Sequence, residues 1–148
     1  GIFDPSVFDH LKRRKIREVF VLEGRPTLDA ARHSCRELLK RKIRPTLIAD
    51  NMAGFLFYQK LVKEVWLSCL YADQGGALCR TGGLILGVLG RAHHGPVHVY
   101  PSSGQSSLLG LTKDITSFNG ISVAPAGISG YVPLVEWVPE KYIGKIYG

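Results

Sequence analysis

Strand-like apolar runs alternate along this chain with segments of helical periodicity, and that alternation restricts the fold more than any other feature. Arg17-Glu-Val-Phe-Val-Leu-Glu23 reads as a buried strand closed by Gly24. Leu28, Ala31, Cys35, Leu38 and Leu39 then recur at spacings of three and four, predicting a helix over residues 26–43. Arg44-Pro-Thr-Leu-Ile-Ala-Asp50 is the second strand, and Asn51 is placed to cap a shorter helix carrying Ala53, Leu56, Phe57 and Leu61. A third strand begins at Lys63, a helix is predicted over residues 77–94, and Pro96-Val-His-Val-Tyr100 is the fourth strand. Ahead of all this, Asp4 and Pro5 suit the start of a short helix over residues 5–14. Short strands alternating with longer helices spell an α/β fold: a parallel sheet with helices on both faces, three layers deep, joined by right-handed crossovers.

The expected organisation is one domain over residues 1–148. Residues 1–16 are an N-terminal helix and basic lead-in, 17–102 the βα core, and 103–148 a Gly/Ser-rich loop followed by C-terminal strands and a short helix. A chain of 148 residues that is 45% hydrophobic can build a sizeable core. No apolar run approaches the ~20 residues of a membrane span, so no membrane partner is expected. The opening Gly1-Ile-Phe-Asp-Pro lacks the layout of a secretory leader. Three cysteines without C-x-x-C spacing argue against a disulfide scaffold or zinc site, which reads as cytoplasmic. The formal charge of +7 permits phosphate-rich partners. Two similar basic clusters, Leu11-Lys-Arg-Arg-Lys-Ile-Arg17 and Leu39-Lys-Arg-Lys-Ile-Arg44, each run from a helix end into a strand start. Cations there offset the helix dipole, and no aromatic residues interleave them, so nucleic acid is not the expected partner.

In a parallel α/β sheet the ligand end is where strands finish. Glu23, Arg25, Asp50, Asn51, Asp73, Cys79, Arg80, Ser102 and Ser103 all follow strands. The stretch from Leu67 draws most attention: an apolar run ends in Asp73, Gly75 and Gly76 form a turn, and a helix is predicted to open with Cys79 and Arg80. Such a helix start would offer backbone N–H groups and positive charge to a phosphate, with Gly75, Gly76 and Arg80 around it. Plainer readings stand beside these. Asp50 and Asn51 can simply cap a helix, and Glu23 and Arg25 can pair locally. Cys79 is either a thiol made more acidic by the helix start or a small core residue. There is no GxGxxG, no Walker motif and no paired metal ligands, so no cofactor or metal is expected.

Glu23-Gly-Arg-Pro, Ala49-Asp-Asn-Met-Ala53, Tyr71-Ala-Asp73, Ala77-Leu-Cys-Arg-Thr-Gly82 and Val123-Ala-Pro-Ala-Gly127 occur in that order. The series resembles the C-terminal domain shared by methylthioribose-1-phosphate isomerases, ribose-1,5-bisphosphate isomerases and the alpha, beta and delta subunits of translation initiation factor 2B. The resemblance implies a Rossmann-like domain. It also implies that Asp73 holds the place of the proton donor in aldose–ketose conversion, and that Cys79 and Arg80 hold the place of a substrate-contacting Asn-Lys pair. This chain departs from the pattern at Gln74, where the family has arginine, and at Asp29, where it has a substrate-contacting glutamine. The isomerases also draw a catalytic cysteine and phosphate-gripping arginines from an N-terminal region with no counterpart in this sequence. The expected function is therefore a sugar-phosphate or nucleotide-binding domain rather than an autonomous enzyme. The alternative is an isomerase of a sugar 1-phosphate acting through Asp73, with Cys79 replacing the absent thiol. The resemblance further implies a homo-oligomer or a family-type hetero-oligomer. Gly83, Gly87 and Gly90, on one helix side, call for a close neighbour that is either the domain's own sheet or a partner.

Overall fold

The computed structural model describes residues 2–104 and 106–148. In chain order the elements are β1 (Ile2–Phe3), α1 (Ser6–Arg13), β2 (Glu18–Leu22), α2 (Asp29–Lys40), β3 (Arg44–Ile48), a 3-10 turn (Asp50–Met52), α3 (Ala53–Tyr58) and β4 (Val65–Asp73). Then follow β5 (Gly76–Arg80), α4 (Gly83–Ala92), β6 (Val97–Ser103), α5 (Thr112–Thr116), β7 (Ser117–Phe118), β8 (Ile121–Ser122), β9 (Val135–Pro139), a 3-10 turn (Glu140–Tyr142) and β10 (Lys145–Ile146).

The α/β class holds, and the sheet is mixed rather than wholly parallel. β4, β6 and β10 run parallel, while β1, β5 and β9 join antiparallel, in the order β1-β6-β4-β5-β9 with β10 also on β6. β2 and β3 form a separate parallel pair. An apolar cavity of about 690 Å³ is lined by Val19 and Val21 of β2 and by Val65 and Trp66 of β4.

Alternation along the strands sends side chains to two cores. Val65, Leu67, Cys69, Val97 and Val99 point to one face, where Phe57 of α3 and α4 cover them. Trp66 and Tyr100 point to the other, against Val7, Phe8 and Leu11 of α1 and Leu38 of α2. Helices on both faces are therefore present as the periodicity predicts. The glycines of α4 face the domain itself: a Cβ at Gly83 would sit 3.0 Å from Cys79 Cβ, and one at Gly87 3.0 Å from Tyr142 Cβ.

The basic clusters have a local explanation. The Ile16 and Lys15 amides donate to the Leu11 and Lys12 carbonyls, and the Ile43 and Lys42 amides to the Leu38 and Leu39 carbonyls. Each is a Schellman ending with a lysine at the left-handed position, Lys15 at φ 61° and Lys42 at φ 60°. Lys60 (φ 60°) ends α3 and His94 (φ 58°) ends α4 in the same way. Within the clusters Arg14 pairs with Glu64 at 3.0 Å, Arg41 with Asp9 at 2.7 Å and Arg44 with Glu18 at 2.9 Å.

Candidate functional site

Residues 77–80 are a strand, not the start of a helix. Leu78 lies opposite Trp137 and Arg80 opposite Val135 in the β5–β9 ladder, and α4 begins only at Gly83, after Gly82 at φ 105°. Two of the amides at its start are already used. Gly82 N–H and Leu84 N–H donate to the same carboxylate oxygen of Glu136, at 2.6 and 3.1 Å. The protein's own acid thus occupies the place where a phosphate was expected.

The glycine turn is the tip of the β4–β5 hairpin. Asp73 lies opposite Gly76, and both of its carboxylate oxygens have partners: Gly75 N–H at 2.7 Å and the Tyr71 hydroxyl at 3.1 Å. That hydrogen bond to a carboxylate holds the Tyr71 phenol above its ordinary pKa. Arg80 belongs to the opposite end of β5, about 13 Å along the strand from this tip at ~3.3 Å per residue. The hairpin therefore separates Asp73, Gly75 and Gly76 from Arg80. Cys79 is 1% exposed, and burial pushes its thiol up to about 12, so of its two readings the small core residue holds and the acidic thiol does not.

The loop after β2 is different. Asp50 accepts from Gly24 N–H at 2.9 Å and Arg25 N–H at 2.8 Å, so its carboxylate ties the loop from behind. Asn51 sits inside the 3-10 turn, and no side-chain cap starts that turn or α3. The loop presents Arg25 and Thr27 to an open polar pocket of about 270 Å³, closed on its far side by α5 and β7. Arg32 of α2 and Lys113 of α5 add positive charge, and Ser117 and Phe118 complete the wall. The Arg25 guanidinium lies 4.8 Å from the Phe118 ring centre and makes long hydrogen bonds of 3.4 Å to the Ser117 and Ile115 carbonyls. Arg80 donates to the Thr27 hydroxyl at 3.0 Å and joins this end of the molecule. The one acid on the wall, Asp114, accepts from Leu111 N–H at 2.7 Å and caps α5.

Of the residues expected at the site, the structure brings Arg25, Asp50 and Arg80 together around one loop. It leaves Asp73, Gly75 and Gly76 on the hairpin tip and Cys79 in the core. Glu23 precedes this loop, and Ser102 and Ser103 are paired to β1. The sequence reading missed Thr27, Arg32, Lys113 and Ser117. Their only advance signal was position, beside a strand end or in the polar segment after β6. Among the described residues, no group of three or more His, Cys, Asp or Glu side chains could hold a metal ion. No helix among them is long and apolar enough to cross a membrane.

Comparison with known proteins places this geometry. The methylthioribose-1-phosphate isomerase of Syntrophus aciditrophicus is 33% identical over 87% of this chain and 38% of its own length. That of Thermus thermophilus is 31% identical over 95% of this chain and 46% of its own. The chain thus spans less than half the length of these relatives. Among solved structures, the translation initiation factor eIF-2B delta subunit from A. fulgidus superposes with a TM-score of 0.83 at 19% identity, over 95% of this chain and 44% of that one. The 5-methylthioribose 1-phosphate isomerase of Pyrococcus horikoshii OT3 does so at 0.82 and 24%, over 95% and 43%. With the family model matching residues 6–146, the chain belongs to the Initiation factor 2 subunit family.

Proposed function

We propose that this chain binds a phosphorylated sugar or a nucleotide through the loop after β2, and that it is not a self-contained enzyme. The observation that carries this reading is the cationic pocket. Arg25, Arg32 and Lys113 line it, its single acid is engaged in a cap, and the Thr27 hydroxyl is at hand. Guanidinium groups bind phosphate oxygens in pairs, and a hydroxyl adds a directional bond. Phe118 offers an apolar face to a sugar or base. Isomerisation needs an acid and a base set across one bound sugar. Asp73 is committed to its own turn and Cys79 is a buried thiol, so the residues first suited to those roles do not converge on the pocket.

The isomerase reading is supported by the relatives at 31–33% identity, which are methylthioribose-1-phosphate isomerases. Calorimetric titration with AMP and ribose 5-phosphate tests the first reading, and a coupled assay on methylthioribose 1-phosphate tests the second. We expect saturable binding, weakened tenfold or more by Arg25→Ala as for loss of a charged hydrogen bond, and no turnover. Turnover abolished by Asp73→Asn would reverse the reading. Self-association belongs to the same proposal. Leu108, Ile121, Ile128 and Tyr131 are exposed apolar residues on the C-terminal third. Sedimentation at tens of micromolar checks this, with dimer or larger expected and monomer counting against it.

A further inference from the structure

We propose that Cys69 and Cys79 form a dithiol site that a low-molecular-weight disulfide, such as oxidised glutathione, converts into an intrachain bridge across the β4–β5 hairpin. The two residues are direct partners in the antiparallel register. Directly opposed residues in such a ladder have Cα atoms about 4.5 or about 5.5 Å apart, depending on the kind of pair. Both spacings fall within the ~4.4–6.8 Å span that a disulfide bridges. The side chains also share a face: both lie in the apolar cluster formed with Leu67, Ala77 and Val138. Both are free thiols. Cys35, the remaining cysteine, sits on α2 against the other core and has no cysteine opposite it.

The chemistry is two exchanges. Cys69, the more exposed of the pair at 7% against 1%, loses its proton and attacks one sulfur of the glutathione disulfide. That S–S bond breaks, a glutathione thiolate leaves, and a mixed disulfide remains on Cys69. Cys79 then loses its proton and attacks the Cys69 sulfur, releasing the second glutathione thiolate. The two thiolates take up two protons, so the dithiol is oxidised and one glutathione disulfide is reduced to two thiols. Burial raises both thiols, so the exchange requires the hairpin to open and quickens as pH rises. The bridge ties β4 to β5 immediately before Arg80, whose guanidinium meets Thr27 at the pocket. It is a reversible lock on one wall of the site and not a folding scaffold.

The test is to incubate the native protein with oxidised glutathione, denature it, and alkylate the remaining thiols. Tryptic cleavage after Lys63 and Arg80 leaves both cysteines on one peptide, residues 64–80. The expected product is that peptide, unalkylated and lighter than its reduced form by two hydrogens, while Cys35 is alkylated. It should form faster at pH 9 than at pH 7. The Cys35→Ser variant should behave like wild type, and Cys79→Ser should stop at a stable glutathione adduct on Cys69. Full alkylation of both cysteines after oxidation would overturn the proposal. So would a bridge involving Cys35, or glutathione persisting on Cys69 in the wild-type protein.

Discussion

Two glycine-bearing turns look alike in sequence and differ in what they offer a ligand. In the loop after β2, Asp50 holds the Gly24 and Arg25 amides from behind, which leaves the Arg25 side chain turned to a cationic pocket. At the β4–β5 tip, Asp73 is engaged by Gly75 and Tyr71, and the tip closes on itself. Position after a strand is shared by both. What separates them is the side chain left over: the Arg25 guanidinium faces the pocket with only long hydrogen bonds of 3.4 Å, whereas each carboxylate oxygen of Asp73 is partnered within its own turn.

The largest effect should come from asking what the tip glycine is for. Gly76 has φ 148°, and a Cβ there would run into the Val138 carbonyl, with Pro139 Cα at 3.1 Å. Gly76→Ala should cost about 3 kcal/mol in urea unfolding, from overpacking and a strained backbone together. Gly82→Ala, at φ 105° but with open space around it, should cost only about 1 kcal/mol. Equal losses would mean that close strand approach is not why the tip holds glycine.

Removing the two acids sharpens the contrast. Asp50→Ala strips an acceptor from two amides and should cost about 2 kcal/mol, with weakened phosphate binding because the loop is no longer held. Asp73→Asn should cost well under half of that on an exposed turn and leave phosphate affinity unchanged. Denaturant midpoints and calorimetry read both. A larger binding loss at Asp73 would move the site back to the hairpin.

A third region, away from both turns, should respond to mild acid. On the α1 side of the sheet, His98 stacks on Trp66 with ring centres 4.4 Å apart, and its Nδ1 lies 3.1 Å from the Tyr147 hydroxyl. Glu64, Arg14 and His10 surround it. Burial lowers the His98 pKa against the pull of Glu64, and burial with nearby Arg13 and Arg14 lowers that of His10. A lowered imidazole pKa means the unfolded chain binds the extra protons. The stability is complete above the ordinary value of 6.5 and is lost as pH falls below it. His98→Gln should flatten the decline in melting temperature between about pH 6.5 and 5, and an unchanged slope would place the acid response elsewhere.

The smallest effect is a gain. Lys42 holds a left-handed conformation that glycine adopts freely, so Lys42→Gly should stabilise by up to about 1 kcal/mol. A loss instead would mean that the lysine charge at that helix end outweighs its strain.

Local periodicity made α1, α2, β2, β3, β4 and β6 legible, because each draws its pattern from its own residues. β5 was not legible. Gly76-Ala77-Leu78-Cys79-Arg80 is short and carries no alternation of its own, and it is a strand because β4 pairs it on one side and residues 135–139 return to pair it on the other. The same distance hides Glu136, which caps α4 from 52 residues away along the chain. Arg25 and Arg80 could be found as cations after strands, whereas Lys113 and Ser117 belong to the polar segment after β6, whose place past a strand end sets it over the crevice without showing which of its residues face the pocket.

The most direct test is a two-dimensional amide NMR titration with ribose 5-phosphate up to roughly millimolar concentration, where binding of ~4 kcal/mol is populated. The account predicts saturable shifts at Gly24, Arg25 and Thr27 and at Lys113 to Ser117, with Gly75, Gly76 and Ala77 unmoved. Saturable shifts confined to Gly75, Gly76 and Ala77, or to the lysines that end the helices, would contradict it.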